Sequence, residues 1–178
     1  YTMIQDLGDE LALIFIGGVN YYSGQVFDLK EITSRGHKVG ALVGFDLAHA
    51  VGNIFLQLHD WKVDFATWCS YKYLNSGPGN VSGMFIHEKQ SIKKPFRLKG
   101  WWGSSEQNRF FYDSQKKYQP LSGAEGWQLS NAPVLGMAVH KASLDIFSEV
   151  GMSNLIEKSR ILVNCLERVF LDFNEYSK

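Results

Sequence analysis

Ala41–Gly52 reads ALVGFDLAHAVG. Ala41–Phe45 runs without polar alternation into Asp46, and a short helical turn, Leu47–Val51, follows and stops at Gly52. An uninterrupted apolar strand is one covered on both faces, as in the parallel sheets of α/β proteins. Upstream, Leu11–Ile16 (LALIFI) has the same character. Between the two, Asp28 is a natural N-cap for a short helix through Ser34, with Gly36 as its stop. Downstream, Asp64–Ser70 (DFATWCS) reads as a third strand that runs out at Tyr71 and Lys72. Val81–His87 (VSGMFIH) is a fourth, and its connection to the third is too short for a helical crossover, which favours an antiparallel pairing. Strands alternating with helical stretches predict an α/β domain with a mostly parallel sheet and flanking helices.

Beyond this core the pattern changes. Lys93–Asn131 is rich in glycine, aromatic and polar residues and shows no period; its tryptophans, tyrosines and phenylalanines favour an ordered functional loop. Pro133 opens a helix running to about Val150, with Gly151 as the stop. A second helix is expected from Asn154 to Phe173, with Ile161, Leu162, Cys165, Leu166, Val169 and Phe170 on one face at helical spacing.

Composition narrows the function. With 178 residues, 45% of them hydrophobic, the chain can build one sizeable core. Eighteen basic and eighteen acidic side chains cancel, so no net field attracts nucleic acid or an anionic membrane. No apolar run reaches the roughly 18 to 20 residues that cross a bilayer. Cys69 and Cys165 stand far apart, neither a zinc pattern nor a disulfide framework, which is the usage of a reducing compartment such as the cytoplasm.

Polar groups stand where two strands end, at Asp46 and Lys72. In open α/β sheets ligands bind outside the carboxyl ends of the strands, so this carboxylate and this amine can face one crevice. Such a pair suits pyridoxal phosphate: the lysine attaches to the cofactor aldehyde and the carboxylate keeps the pyridine nitrogen protonated. The plainer readings are a helix-capping aspartate and a solvated lysine. His49, one helical turn after Asp46, can stack on a flat cofactor, orient Asp46, or simply sit half-buried. Tyr71 can bind phosphate, donate a proton, or pack. Asn75–Asn80 (NSGPGN) makes a small-residue turn that lets backbone approach a ligand, or is only a turn. A metal shared by Asp46 and His49 lacks a third ligand at suitable spacing.

The stretches VGFDLAHAVG (Val43–Gly52) and WCSYKYLN (Trp68–Asn75) resemble the kynureninases, members of the aminotransferase-like (fold type I) pyridoxal-phosphate superfamily. Five more matches fall in order: NYYSGQ (Asn20–Gln25), LHDWKVDF (Leu58–Phe65), FIHEK (Phe85–Lys89), GWWG (Gly100–Gly103) and GWQLSN (Gly126–Asn131). The resemblance spans about Leu13 to Phe147. It implies the second half of an aminotransferase-like large domain: residues 1–150 as a pyridoxal-phosphate-binding portion, and 151–178 as a helix leading towards a small C-terminal domain.

It further implies hydrolysis of L-kynurenine or 3-hydroxykynurenine to anthranilate or 3-hydroxyanthranilate plus L-alanine, in tryptophan catabolism and NAD biosynthesis, by a cytoplasmic homodimer. Under that reading Lys72 carries pyridoxal 5'-phosphate, Asp46 faces its pyridine nitrogen and His49 lies against it. Tyr71 and Tyr22 reach for the phosphate, Tyr71 also moving protons, while Trp101 and Asn131 close the pocket. Three departures stand out. Ser104 occupies a position where relatives commonly have histidine, and Gly17 lies where relatives often carry a hydroxyl. The phosphate-binding loop expected upstream and the small domain expected downstream fall outside this chain, so alone it is expected to be inactive. Two other readings stay open: a different fold type I enzyme, such as a cysteine desulfurase or an aminotransferase, and a non-catalytic relative. A histidine typically precedes the lysine of desulfurases, where this chain has Tyr71.

Overall fold

The computed structural model of the chain describes residues 1–92, 96–109 and 118–176. In chain order its elements are α1 (Thr2–Leu7), β1 (Leu13–Gly17), α2 (Leu29–Lys38), β2 (Leu42–Asp46), β3 (Phe65–Cys69), β4 (Ser82–Ile86), α3 (Lys89–Ile92), α4 (Glu106–Arg109), α5 (Val134–Val150) and α6 (Met152–Tyr176). The strands form one sheet in the order β1-β2-β3-β4. β1 and β3 both pair with β2 in parallel, and β4 runs antiparallel to β3. The sheet is therefore mixed, with its parallel part where the apolar runs predict it.

The core lies between one face of this sheet and α2. Ile14, Val43, Phe45 and Ala66 point to that face and pack with Leu29 and Ile32 of the helix. Asp28 caps α2 as expected, its Oδ1 accepting the Glu31 N–H at 2.9 Å. Gly36, however, is not the stop: α2 continues to Lys38, and Gly40, with φ at +85°, makes the turn into β2. Gly36 serves packing instead. A Cβ there would stand 2.5 Å from Val43 Cγ2 and 2.8 Å from Ile14 Cδ1, so its absence lets the helix lie close on the strands.

A buried polar latch fastens the edge of this layer. Asp64 is 1% exposed. Its Oδ2 accepts from Val43 N at 2.7 Å and contacts His37 Nε2 at 2.8 Å, while its Oδ1 accepts from Gln90 Nε2 at 2.5 Å and pairs with Lys89 Nζ at 3.0 Å. One carboxylate thereby joins α2, β2 and α3. Burial pushes its pKa up, but the His37 contact, the Val43 N–H and Lys89 together outweigh burial and hold it below the usual carboxylate value.

The opposite face of the sheet is only partly covered among the described residues. Leu13, Phe15, Leu42 and Met84 are exposed there, although parallel sheets normally carry helices on both sides. α5 begins at Val134 with Pro133 as its N-cap, and α6 begins at Met152, earlier than the spacing suggested. The periodic face of α6 exists but lies open: Ile161, Leu166, Val169 and Phe170 are all exposed.

The aromatic loop is ordered over its described parts. Trp101 N and Gly103 N donate to the carbonyls of Leu129 and Gln128, and Leu121 N donates to Gly103 O. Residues 93–95 and 110–117 of that stretch lie outside the described residues.

Candidate functional site

The chemistry gathers at the carboxyl ends of β2 and β3. β2 ends on Asp46, whose register partners are Gly17 at the end of β1 and Thr67 in β3. Gly18 N donates to Asp46 O at 2.8 Å, and Leu47 N to Thr67 O at 2.8 Å, so three chain segments hold the strand end in place. The chain then turns. Ala50 N and Val51 N both reach back to Leu47 O, while Leu47 and Ala50 are fully buried as anchors. Gly52, with φ at +79°, lets this turn press against the Tyr73–Leu74 backbone, where a Cβ would come within 3.0 to 3.2 Å of its neighbours. The turn after β2 and the segment carrying Lys72 are thus forced side by side.

The Lys72 segment is itself tied down. Ser70 and Ser76 are buried and bonded to each other at 2.5 Å, and Ser70 Oγ donates to Val81 O. Ser143 of α5 donates to Leu74 O, bracing the same loop from the helix side. Asn75 adopts a positive φ of 56°, a conformation that asparagine tolerates.

Between these pieces lies a cavity of about 600 Å³ lined by Gly17, Val19, Asn20, Tyr21, Phe27, Asp46, Ala48, His49 and Lys72. Asp46 Oδ1 accepts the Ala48 N–H at 2.9 Å. Among the described residues the ion pairs form elsewhere, at Arg35–Glu31, His37–Asp64, Lys89–Asp64 and Lys141–Asp145 among others, and none engages Asp46 or Lys72. The half-buried His49 ring lies 6.3 Å from Tyr21 and 6.2 Å from Tyr73, centroid to centroid, in tilted and edge-on contacts. Lys72 Nζ stands 5.8 Å from the centre of the Tyr71 ring. A carboxylate and a lysine amine that face one hollow without pairing with each other are a donor set for a ligand carrying both a basic and an electrophilic group. A flat pyridine aldehyde has that pairing.

Asp46, His49 and Lys72 thus come together. Tyr71, Tyr22, Trp101 and Asn131 do not line this cavity. Tyr71 and Tyr22 are exposed, Tyr22 at 90%. Trp101 is turned into its own loop, its indole N–H donating to Arg109 O at 2.6 Å and its ring edge-on to Trp102. Asn131 is exposed just ahead of α5. Ser104 is buried, bridging to Pro120 and accepting from Arg109 Nη2 at 3.4 Å. Sequence reasoning passed over Asn20 and Tyr21, which line the cavity, and Ser70 and Ser76, which fix the Lys72 loop. Tyr21 is adjacent to the expected Tyr22, and the NYYSGQ match offered no means of choosing between two neighbouring phenols.

A second hollow of about 750 Å³ lies along β1, walled by α1, both faces of the strand and the start of α2, with Met3, Leu7, Leu13, Phe15 and Ile32 among its lining residues. Its one carboxylate, Asp28, is occupied in capping α2, and its apolar walls supply no reactive group.

Comparison with known proteins places these features in context. The family model for aminotransferase class-V matches residues 2–177. The kynureninase of Flavobacterium psychrophilum is 53% identical over 99% of this chain, which spans 41% of that protein. The kynureninase of Nematostella vectensis is 44% identical over 97% of the chain, spanning 37% of its own length. The chain therefore spans about 40% of the length of the curated relatives it matches. Among solved structures, the cysteine desulfurase CsdA of Escherichia coli superposes with a TM-score of 0.71 at 16% identity, covering 95% of this chain and 40% of that one. A C-DES variant with glycine covalently linked to its PLP cofactor superposes with a TM-score of 0.70 at 19% identity, covering 87% of this chain and 40% of that one. At such identities the structural likeness speaks for the fold, an aminotransferase-like α/β sheet.

Proposed function

The chain belongs to the aminotransferase class-V family, and on that premise we propose that it is the lysine-bearing portion of a pyridoxal-phosphate-dependent kynureninase. The observation that carries this reading is the unpaired Asp46 and Lys72 facing one cavity beside His49. The whole protein would hydrolyse L-kynurenine or 3-hydroxykynurenine to anthranilate or 3-hydroxyanthranilate and L-alanine. That activity belongs to tryptophan catabolism and NAD biosynthesis, in a cytoplasmic homodimer.

Within the cavity, Lys72 would hold the cofactor through its aldehyde, Asp46 would keep its pyridine nitrogen protonated, and His49 would offer its ring to the cofactor's flat face. When bound, pyridoxal phosphate supplies an electron sink for the bonds broken at the substrate's α and β carbons. The protein's own share is proton traffic and positioning. Lys72 would serve as the base for the substrate's α-proton. Tyr71, whose ring lies beside Lys72 Nζ, is the proposed relay to the product and a phosphate partner together with Tyr22. Trp101 is proposed as an aromatic wall for the aniline ring and Asn131 as a closing group from the start of α5, roles for which both would have to approach a cavity that neither lines in this chain. Residues 151–178 are proposed to lead into a small C-terminal domain.

The test is spectroscopic and catalytic together, on the full-length protein. Added pyridoxal phosphate should give a visible absorption band that survives dialysis and is lost in Lys72→Ala, and L-kynurenine should then yield anthranilate fluorescence. No band in the wild type would overturn the cofactor reading; a band without anthranilate would overturn the substrate reading.

A further inference from the structure

The far edge of the sheet carries a second convergence of side chains. β4 ends at Ile86, which pairs with Phe65 at the start of β3, so His87 lies at the sheet edge opposite Asp46 and the Lys72 cavity. There the turn around Leu58–Lys62 brings His59 up to it. One ligand atom from each of His59, His87 and Glu88 lies within 4.8 Å of the others. His59 Nε2 is 3.0 Å from Glu88 Oε1 and His87 Nδ1 is 3.0 Å from Glu88 Oε2, so the carboxylate spans two imidazoles with one oxygen each. The rings are stacked at 4.8 Å with 19° between their planes.

The cluster is anchored at its base. His87 is buried, its N–H donates to Asp64 O at 3.0 Å, and Lys89 Nζ donates to Lys62 O at 2.6 Å, clamping the turn to the strand end. The Lys89 N–H donates to His87 Nδ1 at 3.3 Å. The single lone pair of that nitrogen faces the Lys89 N–H, a long contact that a bound ion would displace, and the nitrogen stands 3.0 Å from Glu88 Oε2. An unprotonated ring nitrogen and a carboxylate oxygen at that distance repel unless a proton or a cation lies between them.

We propose that His59, His87 and Glu88 form a binding site for a divalent transition-metal cation of the Zn²⁺ class, with water as the fourth ligand. Two imidazoles and one carboxylate suit such an ion, whereas Ca²⁺ and Mg²⁺ require mostly oxygen. Ligand atoms about 2.1 Å from a tetrahedral centre lie about 3.4 Å apart. The present distances, 3.0 Å at the two Glu88 contacts and up to 4.8 Å across the cluster, bracket that value, and the exposed side chains of His59 and Glu88 are free to adjust around the buried His87. The ion would staple the 58–62 turn to the end of β4, apart from the Lys72 cavity and independently of its cofactor.

The experiment is calorimetric titration of Zn²⁺ into chelator-treated full-length protein, alongside His59→Ala and Glu88→Gln. Both substitutions are at exposed side chains, and circular dichroism checks that each variant keeps the wild-type fold. One ion per chain is expected, with affinity falling by about tenfold or more in each variant. Co²⁺ in place of Zn²⁺ should give visible ligand-field absorption that disappears in the same variants. Wild-type protein without saturable binding, or variants that bind as tightly as wild type, would overturn the proposal.

Discussion

Replacing Asp64 with asparagine removes one negative charge from the point where α2, β2 and α3 meet. The carboxylate is fully buried and accepts or pairs with four groups: Val43 N, His37, Gln90 and Lys89. Asparagine keeps one acceptor for the Val43 N–H but turns an NH₂ towards groups that themselves donate. Removing one partner of a buried ionic cluster costs about 3 to 5 kcal/mol. His37 and Lys89 are each about a third exposed and regain water, which brings the loss below that range, to about 2 to 3 kcal/mol. Urea unfolding followed by tryptophan fluorescence reads this directly. The pH dependence supplies a second check. The folded pKa of Asp64 lies below its ordinary value of 3.8, so its contribution is fully present above about pH 4 and fades as pH falls through the depressed folded value. The gap between wild type and Asp64→Asn should be full at pH 7 and shrink in acid. A gap under about 0.5 kcal/mol at pH 7, the range of ordinary surface changes, or one that stays constant into acid, would refute the latch.

Gly36→Ala forces a methyl group to within 2.5 Å of Val43 Cγ2 and should destabilise the chain by about 1 to 3 kcal/mol in the same assay. A neutral or stabilising result would mean that α2 can lift from the sheet at no cost. Asp46→Asn retains the Ala48 N–H bond and should leave stability within about 0.5 kcal/mol of wild type. On the proposed function, the same change in the full-length protein should lower kcat by about 10² to 10³, because a neutral amide cannot hold the pyridine nitrogen protonated. Steady-state turnover of L-kynurenine measures that, and unchanged kcat would remove Asp46 from the mechanism.

Much of the sheet was readable because its inner strands are apolar runs that give way to polar residues: β2 at Asp46, and β3 at Ser70, directly after its last residue Cys69. The short connection after β3 announced the antiparallel β4. Gly36 was misread because glycine marks both a helix end and a close approach, and only the strand packed beneath it separates the two uses. The convergence of Asp46, His49 and Lys72 was legible from strand-end logic and from motif resemblance together. Asn20 and Tyr21 were not, since they reach the cavity through an irregular turn in which Asn20 Oδ1 accepts the N–H groups of Tyr22 and Ser23. Nor does spacing reveal that His59 meets His87, because that contact depends on the register between β3 and β4. The partly covered sheet and the open face of α6 show why helical periodicity alone does not say what a helix packs against: Val169 and Phe170 follow the period and yet remain exposed.

The most direct measurement is the site of cofactor attachment. Full-length protein loaded with pyridoxal phosphate is reduced with borohydride, digested, and mapped by mass spectrometry. A pyridoxyl adduct confined to the peptide containing Lys72, and missing from Lys72→Ala, is the predicted result. An adduct on another lysine with Lys72 unmodified, or no adduct at all, would contradict the assignment of this cavity as the cofactor site.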